Sequence, residues 1–192
     1  MACITHRYYE ENAEQYIAGT VNLDVTHLYT DFLKNISPYG HILDAGCGSG
    51  RDTLYFLQHG YEVSAFDRSS SLVESARLRT GIDVKVLSFE DMDYKDVFDG
   101  IWACASLLHT PLTEIPTIIN KLRAALKPNG VLYCSFKQGL EDWTDAKGRF
   151  FVGMTEEKLK ALLEHCGFTV LVQRMEISAR QECWISAIGQ KG

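Results

Sequence analysis

An aspartate closes a short apolar run, and three glycines follow it at alternate positions. The stretch reads His41-Ile42-Leu43-Asp44-Ala45-Gly46-Cys47-Gly48-Ser49-Gly50-Arg51. Further on, Asp67 closes a second apolar run, Tyr61-Glu62-Val63-Ser64-Ala65-Phe66. Glycines this dense after a strand let the backbone turn tightly and approach a ligand with no Cβ in the way. An acidic residue at the end of the next strand is where a ribose diol is gripped. Together they point to a nucleoside-containing ligand.

Two kinds of nucleoside cofactor fit a glycine-rich turn of this type. A dinucleotide fingerprint wants a small residue at its third position, for close packing of helix on strand. Arg51 stands there instead. An anionic pyrophosphate also prefers a helix N-terminus without a carboxylate beside it, and Asp44 lies two residues before the first glycine. A cationic cofactor reverses the sign. S-adenosylmethionine, with its sulfonium and ammonium, fits better than NAD(P).

After residue 40 the elements that must position these residues alternate between strand and helix. Strand-like runs are 42–45, 61–66, 84–87, 100–104, 131–136, 168–175 and 182–188. Ile115, Ile118, Ile119, Leu122 and Leu126 form one helical stripe, stopped at Lys127-Pro128-Asn129-Gly130. Leu159, Leu162, Leu163 and Cys166 form another, opened at Thr155-Glu156-Glu157 and closed by Gly167. Ser71 and Glu74 read as a capping box that starts the helix after Asp67. Such alternation implies a parallel sheet covered on both faces. The last two runs have no helix between them and are expected to pair antiparallel at one edge. Two helices, over 7–17 and 23–35, precede this core. The expected organisation is a single domain over residues 1–192: a helical cap over 1–38, then a Rossmann-like core over 39–192.

The 192 residues are 46% hydrophobic and carry a net charge of −6. Basic residues are scattered, which argues against nucleic acid as the main partner. The six cysteines include no C-x-x-C pair, and four of them (Cys104, Cys134, Cys166 and Cys183) sit in apolar runs as small hydrophobes. The histidines form no metal-ligating pair, so no metal is expected. No apolar run reaches the ~18 residues of a membrane span. A reduced, cytoplasmic protein is the expectation.

Leu43-Asp44-Ala45-Gly46-Cys47-Gly48-Ser49-Gly50 resembles motif I of the class I, seven-β-strand S-adenosylmethionine-dependent methyltransferases. Further motifs follow in that family's order. Val63–Asp67 resembles its ribose-binding strand end, Ser88-Phe89-Glu90-Asp91-Met92 its adenine-contacting turn, Phe98–His109 its fourth strand and loop, and Leu126–Leu132 the turn into its fifth strand. The resemblance covers about residues 7–190 and implies a doubly wound α/β sheet, ordered 3-2-1-4-5-7-6 with strand 7 antiparallel. It also implies bound S-adenosylmethionine, with S-adenosylhomocysteine as product. By the same resemblance, Gly46, Cys47, Gly48 and Gly50 line the methionine and ribose, and Asp67 and its neighbour Arg68 lie at the ribose. Asp91 and Met92 flank adenine, Ala105 lies beneath the methionine amino group, and Asp44 orients the loop. Ser88 departs from the family pattern, in which many relatives place an acidic residue.

Other candidates carry two readings. Arg51 reaches the cofactor carboxylate or an acidic acceptor, or is a solvated arginine poorly placed for the helix dipole. Tyr9 and Tyr16, seven apart on one helix face, approach the methionine end from a lid or pack on the sheet. His109 sits where a general base for an acceptor proton would have to be, or is a packing histidine. The long segment 137–153, with Trp143, Arg149, Phe150 and Phe151, is an acceptor wall or a surface excursion. In scale the chain is similar to tellurite-resistance and thiopurine-type methyltransferases, which implies a small-molecule acceptor and a monomer or homodimer. A non-catalytic cofactor-binding subunit, or an enzyme acting on tRNA or protein, is the alternative.

Overall fold

A computed structural model describes residues 2–178 and 180–192, with side chains for all of these except Ala2 and Cys3; the reading of Cys3 lies outside the described residues. Three helices come first, α1 (Ala2–Glu11), α2 (Ala13–Thr20) and α3 (Thr26–Leu33). The first predicted helix is therefore two, broken at Asn12, whose backbone leaves the helical region at φ −123° and ψ 25°. The core follows as β1 (His41–Ala45), α4 (Arg51–Gln58), β2 (Glu62–Asp67), α5 (Ser70–Thr80), β3 (Lys85–Val86), β4 (Phe98–Ala103), α6 (Ile115–Ala125) and β5 (Leu126–Lys137). A short hairpin, β6 (Trp143–Thr144) and β7 (Phe150–Phe151), precedes α7 (Glu156–His165), β8 (Phe168–Ile177) and β9 (Cys183–Lys191).

The main sheet has seven strands in the order β3-β2-β1-β4-β5-β9-β8. With the hairpin set aside, this is the expected 3-2-1-4-5-7-6. β9 runs antiparallel between β5 and β8, and the other neighbours are parallel. Strand order reverses between β1 and β4, which opens a crevice at their carboxyl ends. α6 stops at Ala125 and β5 begins at once. β5 pairs with β4 at Leu126 and again from Val131, so the Lys127–Gly130 turn bulges out with Asn129 left-handed at φ 64°.

Two-residue alternation along β5 divides the core. Leu132, Cys134 and Phe136 pack with α6 and α7, against Ile115, Ile119 and Leu163. Val131 and Tyr133 face the opposite side with Trp102, under Leu28 and Phe32 of α3. The α6 stripe is almost wholly buried: Ile115, Ile119 and Leu122 at 0% and Ile118 at 2% exposed. Each such side chain contributes about 1.5–3 kcal/mol of apolar burial.

The start of α5 corrects one expectation. Its N-cap is Ser69, whose hydroxyl accepts from the Leu72 amide. Ser71 lies inside the helix, and its hydroxyl donates to Glu10 of α1 at 2.8 Å. Glu10 also accepts from the Ser70 amide at 2.6 Å and the Ser71 amide at 3.3 Å. A carboxylate from α1 thus satisfies the free amides at the start of α5, where the helix dipole favours negative charge. The loop 137–153 is also more ordered than expected: β6 and β7 pair Trp143 with Phe151 and Thr144 with Phe150.

Candidate active site

Two cavities open at the crevice. The first, about 140 Å³, lies over the ends of β1 and β2 and is lined by Gly46, Gly48, Asp67, Arg68 and Phe89. The second, about 240 Å³, lies over β5 and β9, with Cys47, Arg51, Tyr133, Ser135 and Trp184 in its walls. Five residues line both: Tyr9, Tyr16, Gly46, Ala105 and His109. These five form a partition between the cavities.

The glycine loop is shaped for close approach. Gly46 has φ 78° and Gly48 φ 54°, conformations that L side chains rarely adopt. A Cβ on Gly46 would fall 2.5 Å from Cβ of Ser106, and one on Gly48 would meet the Tyr16 ring at 3.3 Å. Gly50, at φ 74°, caps α4 and packs against Ala76 and Thr80 of α5; it lines neither cavity. Asp44 is buried beneath the loop and accepts from Thr53 Oγ1 at 2.6 Å. It too lines neither cavity. Burial, reinforced by the nearby Asp52 charge, pushes its pKa up to about 8.

Asp67 stands at the end of β2. One carboxylate oxygen accepts from the Gly48 amide at 2.8 Å and the other from the Ser69 amide at 2.9 Å. Each oxygen keeps a second lone pair for the cavity. Burial raises its pKa, against the pull of the amides it accepts from. Ser106 adds an orphan: its hydroxyl, in the wall of the first cavity, is buried without a hydrogen-bond partner. A glycine cradle, a half-buried carboxylate oriented by backbone amides and an unpaired hydroxyl fit the adenosyl and methionine parts of S-adenosylmethionine.

The adenine turn is differently placed than expected. Met92 is 3% exposed and packs in the main core, and the exposed Asp91 accepts from Ser88 Oγ at 2.7 Å. Neither lines a cavity; Leu87, Ser88, Phe89 and Glu90 do. Phe89 meets Phe66 edge-on at 5.3 Å, which fixes its ring at the cavity wall.

The partition is built from three elements that are distant in sequence. His109 ends the 3-10 turn Leu107–His109 that follows β4. Its Nδ1 lies 2.5 Å from the Phe150 carbonyl, which can only accept, so Nδ1 carries the proton. Nε2 is then bare and accepts from the Tyr9 hydroxyl at 2.8 Å. Burial lowers the His109 pKa to about 4, and burial pushes Tyr9 up to about 12. At neutral pH both are uncharged. The hairpin completes the wall: Arg149 is held by Asp145 at 2.7 and 2.9 Å and donates to Tyr9 Oη at 3.5 Å, while the Phe150 amide donates to Thr5 of α1 at 3.0 Å. Segment 137–153 therefore docks α1 over the crevice.

Arg51 donates from Nε and Nη2 to Asp52 at 2.5 and 3.0 Å, and from Nη1 to the Thr20 carbonyl of α2 at 3.3 Å. Its side chain faces the second cavity and ties the cap to α4. Asp52 itself, absent from the expected site, is buried and also accepts from Tyr29 Oη at 2.6 Å and Trp102 Nε1 at 2.8 Å. Among the described residues no group of three or more His, Cys, Asp or Glu is placed to hold a metal ion, and no helix is long and apolar enough to cross a membrane.

Comparison with known proteins finds similar proteins for part of the chain. Residues 42–130 match the methyltransferase-domain family, and they include β1, the glycine loop, Asp67 and the β4 loop. Among curated relatives of the chain, the ubiquinone biosynthesis O-methyltransferase of Nitrobacter winogradskyi is 31% identical over 99 residues, covering 49% of this chain and 37% of the relative. The matched region thus spans well under half of that relative's length. Among solved structures, the 1,6-didemethyltoxoflavin-N1-methyltransferase of Burkholderia thailandensis superposes with a TM-score of 0.85 at 21% identity, covering 99% of this chain and 88% of that one. That structure holds 1,6-didemethyltoxoflavin and S-adenosylhomocysteine. The cyclase SpnF shares the fold at a TM-score of 0.71 and 17% identity, covering 86% of this chain and 80% of its own.

The Glu10 contact gives the first testable consequence. Burial slightly raises the Glu10 pKa, but the hydrogen bonds from Ser71 and Ser70 outweigh it and leave the group lowered and ionised. Glu10→Ala removes the carboxylate that joins α1 to α5. The expected loss of S-adenosylhomocysteine affinity is about fivefold, the ~1 kcal/mol typical of a helix cap. Calorimetry with unchanged affinity, together with unchanged amide exchange in α1, would show that the contact does not hold the cap closed.

Proposed function

We propose that the protein is an enzyme that transfers the methyl group of S-adenosylmethionine, held in the first cavity, to a small molecule in the second. The observation that carries this reading is the shared partition: Gly46, Ala105, Tyr9, Tyr16 and His109 border both spaces, so donor and acceptor meet there. Asp67 accepts from the ribose hydroxyls, Gly46 and Gly48 admit the ligand against bare backbone, and the Ser106 hydroxyl gains the partner it lacks. Ala105, left-handed at φ 51°, has its amide bonded to Ser135 Oγ at 2.9 Å; this turns the β4 loop away from the strand and leaves room at the junction. Asp67 and Glu90 in the wall of the first cavity, and not the buried Asp44, favour a cationic ligand over a dinucleotide.

S-adenosylmethionine supplies an electrophilic methyl group whose sulfur leaves as a neutral thioether. The chain's contribution is mainly alignment, which can be worth about 7–11 kcal/mol. His109 Nε2, with its tautomer fixed by the Phe150 carbonyl, takes the proton through the Tyr9 hydroxyl that donates to it. Tyr9 receives the acceptor's proton as it passes its own to Nε2. With a pKa near 4 the histidine is a weak base, suited to a proton that becomes acidic only as the acceptor atom is methylated. The names of the relatives, an O-methyltransferase and an N1-methyltransferase of a small molecule, support a small-molecule acceptor. A cytoplasmic, monomeric or homodimeric enzyme is part of the same reading.

Calorimetry with S-adenosylmethionine, S-adenosylhomocysteine and NADPH tests the donor. Tight binding of the first two is expected, and binding of NADPH alone would overturn the assignment. Release of S-adenosylhomocysteine on addition of small nucleophiles then distinguishes an enzyme from a non-catalytic binder. Turnover only with tRNA or protein would move the acceptor outside the second cavity.

A further inference from the structure

The charged groups around the second cavity are already engaged with one another. Lys137 donates to Glu182 at 2.6 Å, Arg149 to Asp145, Arg51 to Asp52, and Glu176 lies 2.9 Å from His27. Arg180, exposed at the mouth, donates to the Gly19 carbonyl. Away from Arg180 at the mouth, a charged ligand would have to break one of these pairs, or be buried without a partner.

The unpaired group is neutral. Tyr133, in the middle of β5, is 3% exposed, and its hydroxyl has no hydrogen-bond partner among the described residues. Ser135 and Ser186 stand beside it, and they are register partners on β5 and β9. Neither meets the hydroxyl in hydrogen-bonding geometry; the Ser135 hydroxyl accepts from the Ala105 amide and donates to Cys104 Sγ at 3.8 Å. A buried hydroxyl left unpaired costs about 1–3 kcal/mol, a cost that a ligand can remove. The Tyr133 ring is held in the cavity wall by stacking on Trp102, with centroids 3.9 Å apart and planes 13° from parallel. Around it the cavity is walled by further rings, those of Tyr9, Tyr16, Phe151 and Trp184.

Taking the second cavity as the acceptor site, we infer that Tyr133 determines its specificity, its hydroxyl binding the polar edge of an uncharged, flat aromatic acceptor. Aromatic walls favour a planar ring system, the mated ion pairs select for zero charge, and the orphan hydroxyl demands a carbonyl oxygen or ring nitrogen at one edge. The neutral His109 at the junction suits the same acceptor, one whose nucleophilic lone pair needs no strong base.

The test uses protein saturated with S-adenosylhomocysteine, near pH 6.5, and three probes by calorimetry: lumazine, a neutral fused heteroaromatic; 4-hydroxybenzoate, an anion; and tyramine, a cation. Lumazine is expected to bind most tightly. Tyr133→Phe, which keeps the stacked ring and removes the unpaired hydroxyl, should weaken lumazine about tenfold, leave S-adenosylhomocysteine affinity unchanged and raise the melting temperature, not lower it. Equal or tighter binding of either charged probe, no binding of lumazine, or an unchanged lumazine affinity in Tyr133→Phe would each overturn the inference. If the variant does not fold, the ranking of the three probes on the wild-type protein still decides the acceptor class. Failure of S-adenosylhomocysteine itself to bind would instead refute the donor assignment.

Discussion

Asp67→Ala should weaken S-adenosylmethionine and S-adenosylhomocysteine binding at least 100-fold. Two effects add. The ribose loses two hydrogen bonds to a carboxylate, each worth about 1.5–3 kcal/mol. The Gly48 amide, now held at 2.8 Å by the same carboxylate, also loses the partner that fixes the glycine loop in its left-handed conformation. Because both oxygens are oriented by backbone amides, the free protein already has the geometry of the bound state, and little of the interaction is lost to reorganisation. Calorimetry on the variant gives the answer directly. An affinity within threefold of wild type would mean that the ribose lies elsewhere.

Asp52→Ala should lower the melting temperature by roughly 6–20 °C. Four donors converge on this buried carboxylate, two from Arg51 and one each from Tyr29 and Trp102. Removing it leaves a cation, a phenol and an indole N–H unpaired in the interior. Breaking a buried pair in this way costs about 3–5 kcal/mol, and each kcal/mol is about 2–4 °C in a domain of this size. Asp52 joins α3, α4 and β4, and Arg51 carries the connection to α2, so the loss should also loosen the cap over the second cavity. Scanning calorimetry checks the first part; a shift under 2 °C would show that water replaces the carboxylate without cost.

Much of this was legible in the chain because it is local. The β1–α4 turn announces itself through Asp44, Gly46, Gly48 and Gly50 within seven residues, and the α6 and α7 stripes through their period. The order of the sheet came through the resemblance, since pairing between distant strands leaves no mark on spacing. What stayed hidden depends on contacts far apart in sequence. Asp52 reads as an ordinary first-turn acid until Tyr29 and Trp102, 23 and 50 residues away, close around it. Tyr133 sits in an apolar run in which nothing separates a packed ring from a waiting hydroxyl. The β6–β7 hairpin has two residues per strand, too few to show an alternation. At the adenine turn, the resemblance singles out Asp91 and Met92 and gives Phe89 no role; only the fold sends Met92 into the core and Phe89 to the cavity.

β5 carries a scale as well as a floor. Tyr133, Ser135 and Lys137 face the same side at two-residue intervals, each about 6.6 Å along the strand. Tyr133 is the far graduation from the β6–β7 hairpin, Ser135 is tied to the junction through Ala105, and Lys137 lies over the Phe151 ring at 4.7 Å. The spacing between the strand position tied to the junction and the one that carries the hydroxyl is thus set by backbone rise. If Tyr133 holds the acceptor's edge as proposed, the acceptor is measured as well as recognised, and the atom offered for methylation lies about one graduation from that edge. Relocating the hydroxyl along the strand, with the rest of the site left alone, would change which atom of a ring system reaches that mark.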